Sequence, residues 1–299
     1  GQGTFIARTR PVQNIGLLMN ESCLQPLKTP YPYVLGEKVA AKLKSEGFSV
    51  VRFIERKGGE FSGQVSIDGL ADALRSRGIH GMIMANCNLT MFLGQDTFWN
   101  EFKVPYAAIN TYGHSDFTAE FDYVDFFETA LRYLASHARR KIAVIASPDK
   151  FPQARTALAS FPELQTVSEN FLPITHETSP EQSGFETMKR LWRRKERPDA
   201  LVVTDDIATK GVVQAVLQMG IRIPDELLII HGANSGTDVF YPIGMPKIEF
   251  DLDETVAEAV SLLRYCISNP GAAGRTAMIR PRLLDAGGPG KDSANSDRG

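Results

Sequence analysis

The chain has 299 residues, 43% of them hydrophobic and 23% charged, with a formal net charge of -2. This composition is typical of a globular protein long enough for two packed lobes. It argues against nucleic acid as the main partner, because phosphate binding needs a concentrated excess of Lys and Arg. The apolar runs fall far short of the roughly 20 residues that cross a bilayer, and no leader pattern precedes the fold, so we expect a cytoplasmic protein without a membrane partner.

Apolar runs of the buried-strand type alternate with helical patterns from Asn14 onward. In the first half of the chain, strands are predicted at 14–19, 49–54, 80–86 and 104–110. Helices are predicted at 36–48 and 67–79. The residues Pro26, Pro30 and Pro32 are assigned to the loop before the first helix.

The second half of the chain repeats this alternation. Helices are predicted at 124–138, 183–197 and 211–220, and each leads to an apolar strand, at 141–146, 200–205 and 226–232. Near-continuous apolar strands separated by helices predict an α/β fold with parallel sheets covered on both faces, and two sheets fit better than one. The polar residues 286–299 are expected to form a disordered tail.

Polar residues follow many of the predicted strands. In open α/β sheets ligands bind beyond the carboxyl ends of the strands, so these residues are candidates for ligand contacts. Amides and carboxylates recognise hydroxyl-rich small molecules, and aromatic rings can cover the C–H surface of a ligand ring. The aromatic candidates are Tyr31, Tyr33, Phe117 and Phe121. The polar candidates are Asn20, Asn86, Asn110, Asp205, His231 and Asn234.

Each polar candidate also has a simpler structural interpretation. An Asn or Asp at a strand end is more often a turn former or a helix N-cap than a ligand contact. Asp206 is assigned as the N-cap of the helix that follows it, and Asn110 fits a turn. The basic run 189–197 fits cations at a helix C-terminus better than a phosphate site. The convergence of several polar strand ends nevertheless favours ligand binding for the set.

Catalysis is not predicted. The chain lacks the G-x-S-x-G, H-E-x-x-H, P-loop and G-x-G-x-x-G motifs. His231 is the best candidate for a general base, but no nucleophile or acid partner accompanies it. The adjacent Asp205 and Asp206 would point to opposite sides of a strand, so they do not form a metal pair. The three cysteines have neither zinc nor disulfide spacing. We therefore expect no metal and no cofactor.

Two longer motifs point to a known family. Residues 204–232, TDDIATKGVVQAVLQMGIRIPDELLIIHG, resemble the signature stretch of the effector-binding core of the lac repressor family, which shares its fold with periplasmic sugar-binding proteins. Residues 122–145 are similar to that family's DNxxGxxxAxxHLxxxGHxxIAxI pattern, with Phe126 where Gly is usual. The resemblance runs from about Val12 to Leu284. It implies two Rossmann-like lobes of the periplasmic-binding-protein-like type I fold.

The resemblance also bears on the site and the lobes. Asp122 matches the start of the second motif, Asn234 lies within one residue of an Asp that usually holds sugar hydroxyls, and Arg155 lies two residues from the family's sugar-binding Arg. The implied lobes are 12–120 plus 248–272 and 121–247 plus 273–285, with crossovers near 119–122, 245–248 and 270–276. The full set of predicted ligand-binding residues is Asn20, Tyr33, Asn86, Asn110, Phe121, Asp122, Arg155, Asp205, His231 and Asn234.

The first residues carry a further resemblance. GQGTFIAR, residues 1–8, resembles the closing β-wing of the GntR-type winged-helix DNA-binding domain, so residues 1–11 are interpreted as the remnant of a wing and linker. The leading hypothesis is the ligand-sensing domain of a bacterial transcriptional regulator that binds a sugar or sugar derivative between its lobes. It would act as a homodimer and reach operator DNA only through an N-terminal head. The alternative is a transport-associated sugar-binding protein of the same fold, which predicts an upstream signal peptide and a monomer.

Overall fold

The computed structural model describes residues 13–57, 65–67, 69–87, 103–111, 115–165, 170–175, 178–237 and 239–285. The interpretations of residues 1–11 as a wing remnant and of 286–299 as a tail lie outside these residues. The chain divides into two compact units. Unit 1 takes its described residues from Gly1–Phe121, Asn234–Asp238 and Asp251–Ile279, and unit 2 from Asp122–Ala233, Val239–Phe250 and Arg280–Gly299.

Strands and helices alternate through most of the described chain. The strands are β1 Asn14–Asn20, β2 Ser49–Lys57, β3 Val65–Ser66, β4 Gly81–Ala85, β5 Tyr106–Ile109, β6 Phe117–Phe121, β7 Ile142–Ala146, β8 Phe171–Pro173, β9 Ala200–Val203, β10 Leu228–Asn234, β11 Lys247–Phe250, β12 Arg275–Ile279 and β13 Arg282–Leu284. The helices are α1 Pro30–Ser45, α2 Leu70–Arg75, α3 Tyr123–Ser136, α4 Phe151–Leu158, α5 Pro180–Trp192, α6 Asp206–Met219 and α7 Leu252–Ser268.

Within the described residues, unit 1 contains a seven-stranded sheet in the order β12-β6-β5-β4-β1-β2-β3. The strand β1 pairs in parallel with β2 on one side and β4 on the other, whereas the short β3 runs antiparallel to β2. Ile15 to Met19 of β1 are all buried. This matches the expectation that near-continuous apolar strands belong to a sheet covered on both faces.

The first helix begins earlier than the sequence analysis predicted. Pro30 and Pro32, which were assigned to a loop, lie in the first turn of α1, and Pro32 is buried. Proline is tolerated there because the first N–H groups of a helix have no intrahelical partner to lose. The loop prediction was therefore wrong for these two residues.

Unit 2 contains a six-stranded sheet in its described residues, in the order β13-β11-β10-β9-β7-β8. The strands β7, β8, β9 and β10 pair in parallel, and β11 and β13 form an antiparallel edge. With unit 1, this confirms the predicted α/β fold with two parallel sheets.

The helices α5 and α6 of unit 2 approach each other at two glycines. A Cβ on Gly211 would lie 1.8 Å from the carbonyl oxygen of Glu181, and a Cβ on Gly184 would lie 2.1 Å from that of Ala208. Real Cβ atoms do not approach backbone atoms so closely, so neither position accepts a side chain without moving a helix. The Gly211 of the signature motif is thus explained by helix packing.

The unit boundaries differ from the lobes implied by the resemblance. All five residues of β12 pair in parallel with β6, so residues 275–279 belong to unit 1 rather than to the second lobe. Conversely, β11 belongs to unit 2, although residues 248–250 were assigned to the first lobe. The apolar pattern could not show this, because β12 is largely exposed and lacks a continuous apolar run.

Candidate functional site

Three asparagines stand at the carboxyl ends of adjacent strands in unit 1. Asn20 ends β1, Asn86 follows β4 and Asn110 follows β5. The Nδ2 of Asn20 donates to the backbone carbonyl of Asn86, at 2.5 Å. The Oδ1 of Asn20 accepts from the backbone N–H of Ser22, at 3.0 Å, and so caps the short helical turn that follows β1. The structure therefore brings Asn20 and Asn86 together, as predicted for polar strand ends.

Asn86 and Asn110 share an uncommon backbone conformation. Their φ angles are 50° and 43°, in the left-handed region. Among residues with a side chain, Asn enters this region at relatively low cost because its short amide tolerates it. Both backbone positions therefore favour residues of this type, which gives each asparagine a structural role in addition to its predicted contact with a ligand.

Both polar atoms of the Asn110 side chain already form hydrogen bonds. Its Oδ1 accepts from the backbone N–H of Phe121, at 3.0 Å, and its Nδ2 donates to the hydroxyl of Tyr31, at 3.1 Å. The rings of Tyr31 and Phe121 lie 6.2 Å apart. Asn110 thus links Tyr31 to the backbone of Phe121 at the edge of the sheet. The aromatic partner is Tyr31, one of the predicted aromatic candidates, whereas the half-exposed ring of Tyr33, another candidate, lines a groove beside α1.

The amide of Asn86 differs from that of Asn110. Its backbone N–H donates to the carbonyl of Ile109, at 3.1 Å, but its half-buried side chain makes no hydrogen bond to another described residue. An amide carries two donors and an acceptor that can pair with a hydroxyl-rich molecule. Among the described residues of this edge, Asn86 therefore offers polar groups that the fold has not used.

The sequence analysis missed a buried carboxylate at the same edge. Glu55 lies opposite Asn20 in the pairing of β1 with β2, and only 6% of it is exposed. Burial raises the pKa of the neighbouring Cys87 thiol, and the charge of Glu55 raises it further. The sequence feature that could have indicated this residue is its position: Glu55 directly follows the strand predicted at 49–54.

Two aspartates that follow strands cap helices of unit 2: Asp122 follows β6 of the unit 1 sheet, and Asp205 follows β9 of the unit 2 sheet. The carboxylate of Asp122 accepts from the backbone N–H of Asp125, at 3.0 Å, and begins α3. The Oδ1 of Asp205 accepts from the backbone N–H of Ala208, at 2.6 Å, and begins α6. The prediction that Asp206 is the cap was wrong by one residue. Asp206 is the first residue of the helix and is buried.

A further cluster in unit 2 lies in residues 147–155, a segment expected to follow a strand end. The ammonium of Lys150, in the turn after β7, lies 4.4 Å from the centre of the Tyr123 ring and 3.0 Å from the carboxylate of Asp149. Burial alone would raise the pKa of Asp149, but hydrogen bonds from Ser147 and Lys150 outweigh burial and lower it. The cluster places a cation and an aromatic ring near the carboxyl end of a central strand.

Arg155 lies on a helix, and His231 lies within a strand. Arg155 is exposed on α4, and its guanidinium lies 4.2 Å above the ring of Phe171, the first residue of β8. His231 was predicted to stand at a strand end, but it lies inside β10, which continues to Asn234. That prediction was wrong because the polar residue was taken as the end of the apolar run.

The environment of His231 argues against a role as a general base. The residue is 4% exposed, its Nδ1 pairs with the carbonyl of Gly232 at 3.0 Å, and its ring packs edge-on against Tyr241. Burial lowers the pKa of His231 from 6.5 to about 4, against the opposing effect of the Gly232 hydrogen bond. The ring is therefore neutral at physiological pH and behaves as part of the core.

Asn234 is the last residue of β10 and the first residue of a tight turn. This turn belongs to unit 1. Its backbone carbonyl accepts from the N–H and the hydroxyl of Thr237, at 3.1 and 2.8 Å. Its side-chain Oδ1 is buried and has no hydrogen-bond partner among the described residues. A buried acceptor without a partner is costly. Like Asn86, Asn234 therefore retains a polar group that a ligand could satisfy.

Comparison with known proteins supports the architecture. A model of the periplasmic binding protein-like domain family matches residues 131–285. The HTH-type transcriptional repressor PurR from Klebsiella pneumoniae subsp. pneumoniae is 26% identical over 159 residues, which is 52% of this chain and 46% of the repressor. The chain thus spans about half the length of the curated relatives it matches. These relatives are transcriptional repressors rather than enzymes.

Solved structures share the fold across most of the chain. The complex of the transcriptional regulator CelR with cellobiose superimposes with a TM-score of 0.73 at 17% identity, over 92% of this chain and 85% of CelR. The lac repressor dimer bound to operator and the anti-inducer ONPF gives a TM-score of 0.70 at 15% identity, over 94% and 98% of the two chains. Across the described residues, no helix is long and apolar enough to span a membrane.

Proposed function

Because the chain belongs to the periplasmic binding protein-like domain family, we propose that it is the ligand-binding domain of a cytoplasmic transcriptional regulator of the lac repressor type. The matching curated relatives are named as repressors. The two parallel-sheet units with polar strand ends suit the reversible binding of a small molecule. In this proposal the domain senses a ligand and changes how an attached head binds DNA.

The ligand in this proposal is a sugar or sugar derivative. The observation that carries it is the row of asparagines at adjacent strand ends of unit 1. In this row the Asn86 side chain makes no hydrogen bond to another described residue, and Asn110 bonds the Tyr31 hydroxyl and the backbone N–H of Phe121. Amides pair with hydroxyl groups, and aromatic faces cover the C–H surface of a ring. CelR, a structure of similar fold, was solved with cellobiose. That both units contact one ligand stays a prediction from the sequence.

Two further parts of the proposal concern partners. The resemblance of residues 1–8 to a GntR-type wing supports a winged-helix head as the DNA-binding part. A homodimer is supported by the lac repressor, whose structure of similar fold is a dimer on its operator. In such an assembly the ligand binds two conformations of the protein with different affinities. The change in DNA affinity that it causes cannot exceed this difference in ligand affinity.

The test is a thermal-shift and calorimetric screen of the chain against neutral sugars and sugar phosphates. For the best hit, Asn86→Gly should abolish or strongly weaken binding while leaving the melting temperature of the free protein unchanged, because glycine adopts the φ of 50° without strain. The matched control is Arg77→Gly, which changes an exposed residue of similar φ, 54°, outside the strand ends. It should bind like the wild type.

The variant Asp205→Asn extends this binding test to unit 2. Asparagine caps a helix about as well as aspartate, so this variant removes a charge while preserving the start of α6. A loss of affinity without a loss of stability would assign Asp205 to the ligand. The proposal is contradicted if no sugar stabilises the chain, or if a sugar that does so binds both variants with unchanged affinity.

A further inference from the structure

Two basic runs meet at the amino edge of the sheet in unit 2. Residues 139–141 directly precede β7, and residues 193–197 precede β9. The strands β7 and β9 pair in parallel as neighbours, with Ile142 opposite Ala200. Because the amino ends of parallel neighbours share one edge of a sheet, the two runs lie side by side, and together they form what we term the basic edge. Asp205, which follows β9, lies at the opposite edge of this sheet.

Asp199 holds the two runs together. Its carboxylate accepts from the backbone N–H groups of Arg140, at 3.1 Å, and Lys141, at 2.9 Å. Its own backbone N–H donates to the carbonyl of Lys141, at 3.0 Å. The carboxylate that follows the second run is therefore used by the backbone of the first run, and among the described residues it forms no ion pair with a basic side chain.

The basic edge has a concentrated and unpaired positive charge. It contains seven cations and one carboxylate, although the whole chain has a net charge of -2. Five of the cations are exposed and form no ion pair with a described residue: Arg140, Lys141, Arg193, Lys195 and Arg197. Like charges this close together repel each other. A bound anion would relieve this repulsion.

The helix dipole explains only part of the basic sequence. Lys189 and Arg190 lie in the last turn of α5, where cations complement the carbonyl end of the helix. The effect of the dipole falls off beyond that turn, and Lys195 and Arg197 follow the end of the helix. The first run follows α3, whose last turn contains no basic residue. The basic edge therefore needs another explanation.

The chemistry of the basic edge indicates the kind of partner. Every residue of the two runs is charged, so the edge has no apolar side chain to form the core of a protein interface. Interfaces with nucleic acid are instead polar and strongly positive. The adjacent ring of Trp192 is covered by the guanidinium of Arg197, 5.0 Å from the ring centre, and is not free to stack on an unpaired base. These features favour the backbone of a duplex over an acidic protein or a single strand.

We propose that the basic edge is a DNA contact that binds the phosphate backbone of a duplex without reading its sequence. Its arginines can pair with two phosphate oxygens at once, and its lysines act as point charges. The attached head of the proposed function would read the operator, and the basic edge would add affinity that does not depend on sequence. The inference rests on the proposed function only for the choice of DNA as the duplex.

The first experiment measures binding of the chain to a fluorescent DNA duplex of random sequence by anisotropy, from about 50 to about 200 mM salt. The variant Lys141→Gln/Arg193→Gln/Lys195→Gln removes three exposed cations whose side chains form no hydrogen bond with a described residue. At the lowest salt it should raise the dissociation constant about 30-fold or more. The salt slope of log Kd should fall by about 2 to 3, because each lost phosphate contact removes about 0.9.

Two matched variants show whether the position and the charge matter. Lys44→Gln/Arg77→Gln/Lys103→Gln removes three exposed cations of unit 1 and should change the dissociation constant less than about 3-fold. Lys141→Arg/Arg193→Lys/Lys195→Arg keeps every charge of the basic edge and should bind like the wild type. The proposal is overturned if the wild type does not bind the duplex at low salt, or if the unit 1 variant weakens binding as much as the first variant.

Competition distinguishes the two classes of partner. Unlabelled duplex should displace the labelled duplex from the wild type at concentrations at which poly-glutamate of equal charge does not. Tighter binding of poly-glutamate than of the duplex, lost in Lys141→Gln/Arg193→Gln/Lys195→Gln, would assign the basic edge to an acidic protein and contradict the DNA contact.

Sugar binding separates this inference from the proposed function. The variant Lys141→Gln/Arg193→Gln/Lys195→Gln should bind the sugar identified by the screen as the wild type does, because Asp205 lies at the opposite edge of the sheet. A chain that binds the sugar but no duplex refutes the DNA contact alone. A chain that binds the duplex through the basic edge but no sugar refutes the proposed ligand alone.

Discussion

The two units use polar strand ends in different ways. In unit 1 the ends carry asparagines, two of them with left-handed backbone, and they bond to each other and to a tyrosine hydroxyl. By contrast, the aspartates that follow β6 of unit 1 and β9 of unit 2 cap the helices α3 and α6. A capping aspartate has committed one oxygen to the helix, whereas among the described residues Asn86 forms hydrogen bonds only through its backbone. Polar strand ends are therefore not equivalent evidence for a ligand site, and the uncommitted amide is the stronger indication.

The units also differ in how much room they leave for a side chain. In unit 2 a Cβ on Gly211 would lie 1.8 Å from a backbone carbonyl oxygen of α5. In unit 1 a Cβ on Gly36 would lie 2.5 Å from the sulfur of Met19, the far part of a flexible side chain. Backbone cannot yield without moving a helix, whereas a methionine can change rotamer.

The largest expected effect follows from this difference. Gly211→Ala should lower the free energy of unfolding by about 3 kcal/mol or more, because the α5–α6 contact must open. Gly36→Ala, the same chemical change in unit 1, should cost less than about 1 kcal/mol, since alanine also favours the helix. Urea denaturation of both variants measures the contrast. Equal losses would show that the close helix approach in unit 2 does not limit stability.

The second prediction concerns the pH dependence of unit 2. His231 has a folded-state pKa lowered to about 4 from 6.5, so the unfolded chain binds its proton more readily. The contribution of neutral His231 to stability is complete above pH 6.5, and it is lost as the pH falls towards 4. The loss over this interval is about 3 kcal/mol.

Stability curves of the wild type and His231→Gln, measured by urea denaturation from pH 7.5 to 4, check this prediction. The variant lacks the titrating imidazole, so its stability should fall less steeply with acidification than that of the wild type. Unit 1 offers no equivalent buried histidine among its described residues, so the pH-dependent difference should arise from unit 2. Parallel curves would mean that His231 keeps an ordinary pKa in the folded chain.

Much of the architecture follows from the sequence, and the exceptions have physical causes. The strands β1, β4, β7 and β9 are covered on both faces and therefore show as apolar runs. The strand β13 is exposed at all three residues, and β6 contains the exposed Glu120, so neither gives such a run. The helix α7 was also not predicted, although its buried residues recur at the spacing of an amphipathic helix.

The site was only partly predictable for a different reason. A list of strand ends gives Asn20, Asn86 and Asn110 directly, because the carboxyl ends of neighbouring parallel strands share one edge of a sheet. The choice of Tyr31 over Tyr33 depends on the direction of each side chain from α1, and the burial of Glu55 depends on the packing around β2. These are tertiary properties that residue type and spacing do not specify.

The smallest predicted effect tests whether the asparagines of unit 1 have separate roles. Asn110→Gly should cost about 1 kcal/mol, because two hydrogen bonds are lost while the strain of the left-handed backbone is relieved. Asn86→Gly loses no side-chain bond to a described residue and should leave stability unchanged within about 0.5 kcal/mol. Chemical denaturation gives both values. If Asn86→Gly proves the more damaging, the amide of Asn86 is already committed within the fold, and the strongest candidate ligand contact in unit 1 is lost.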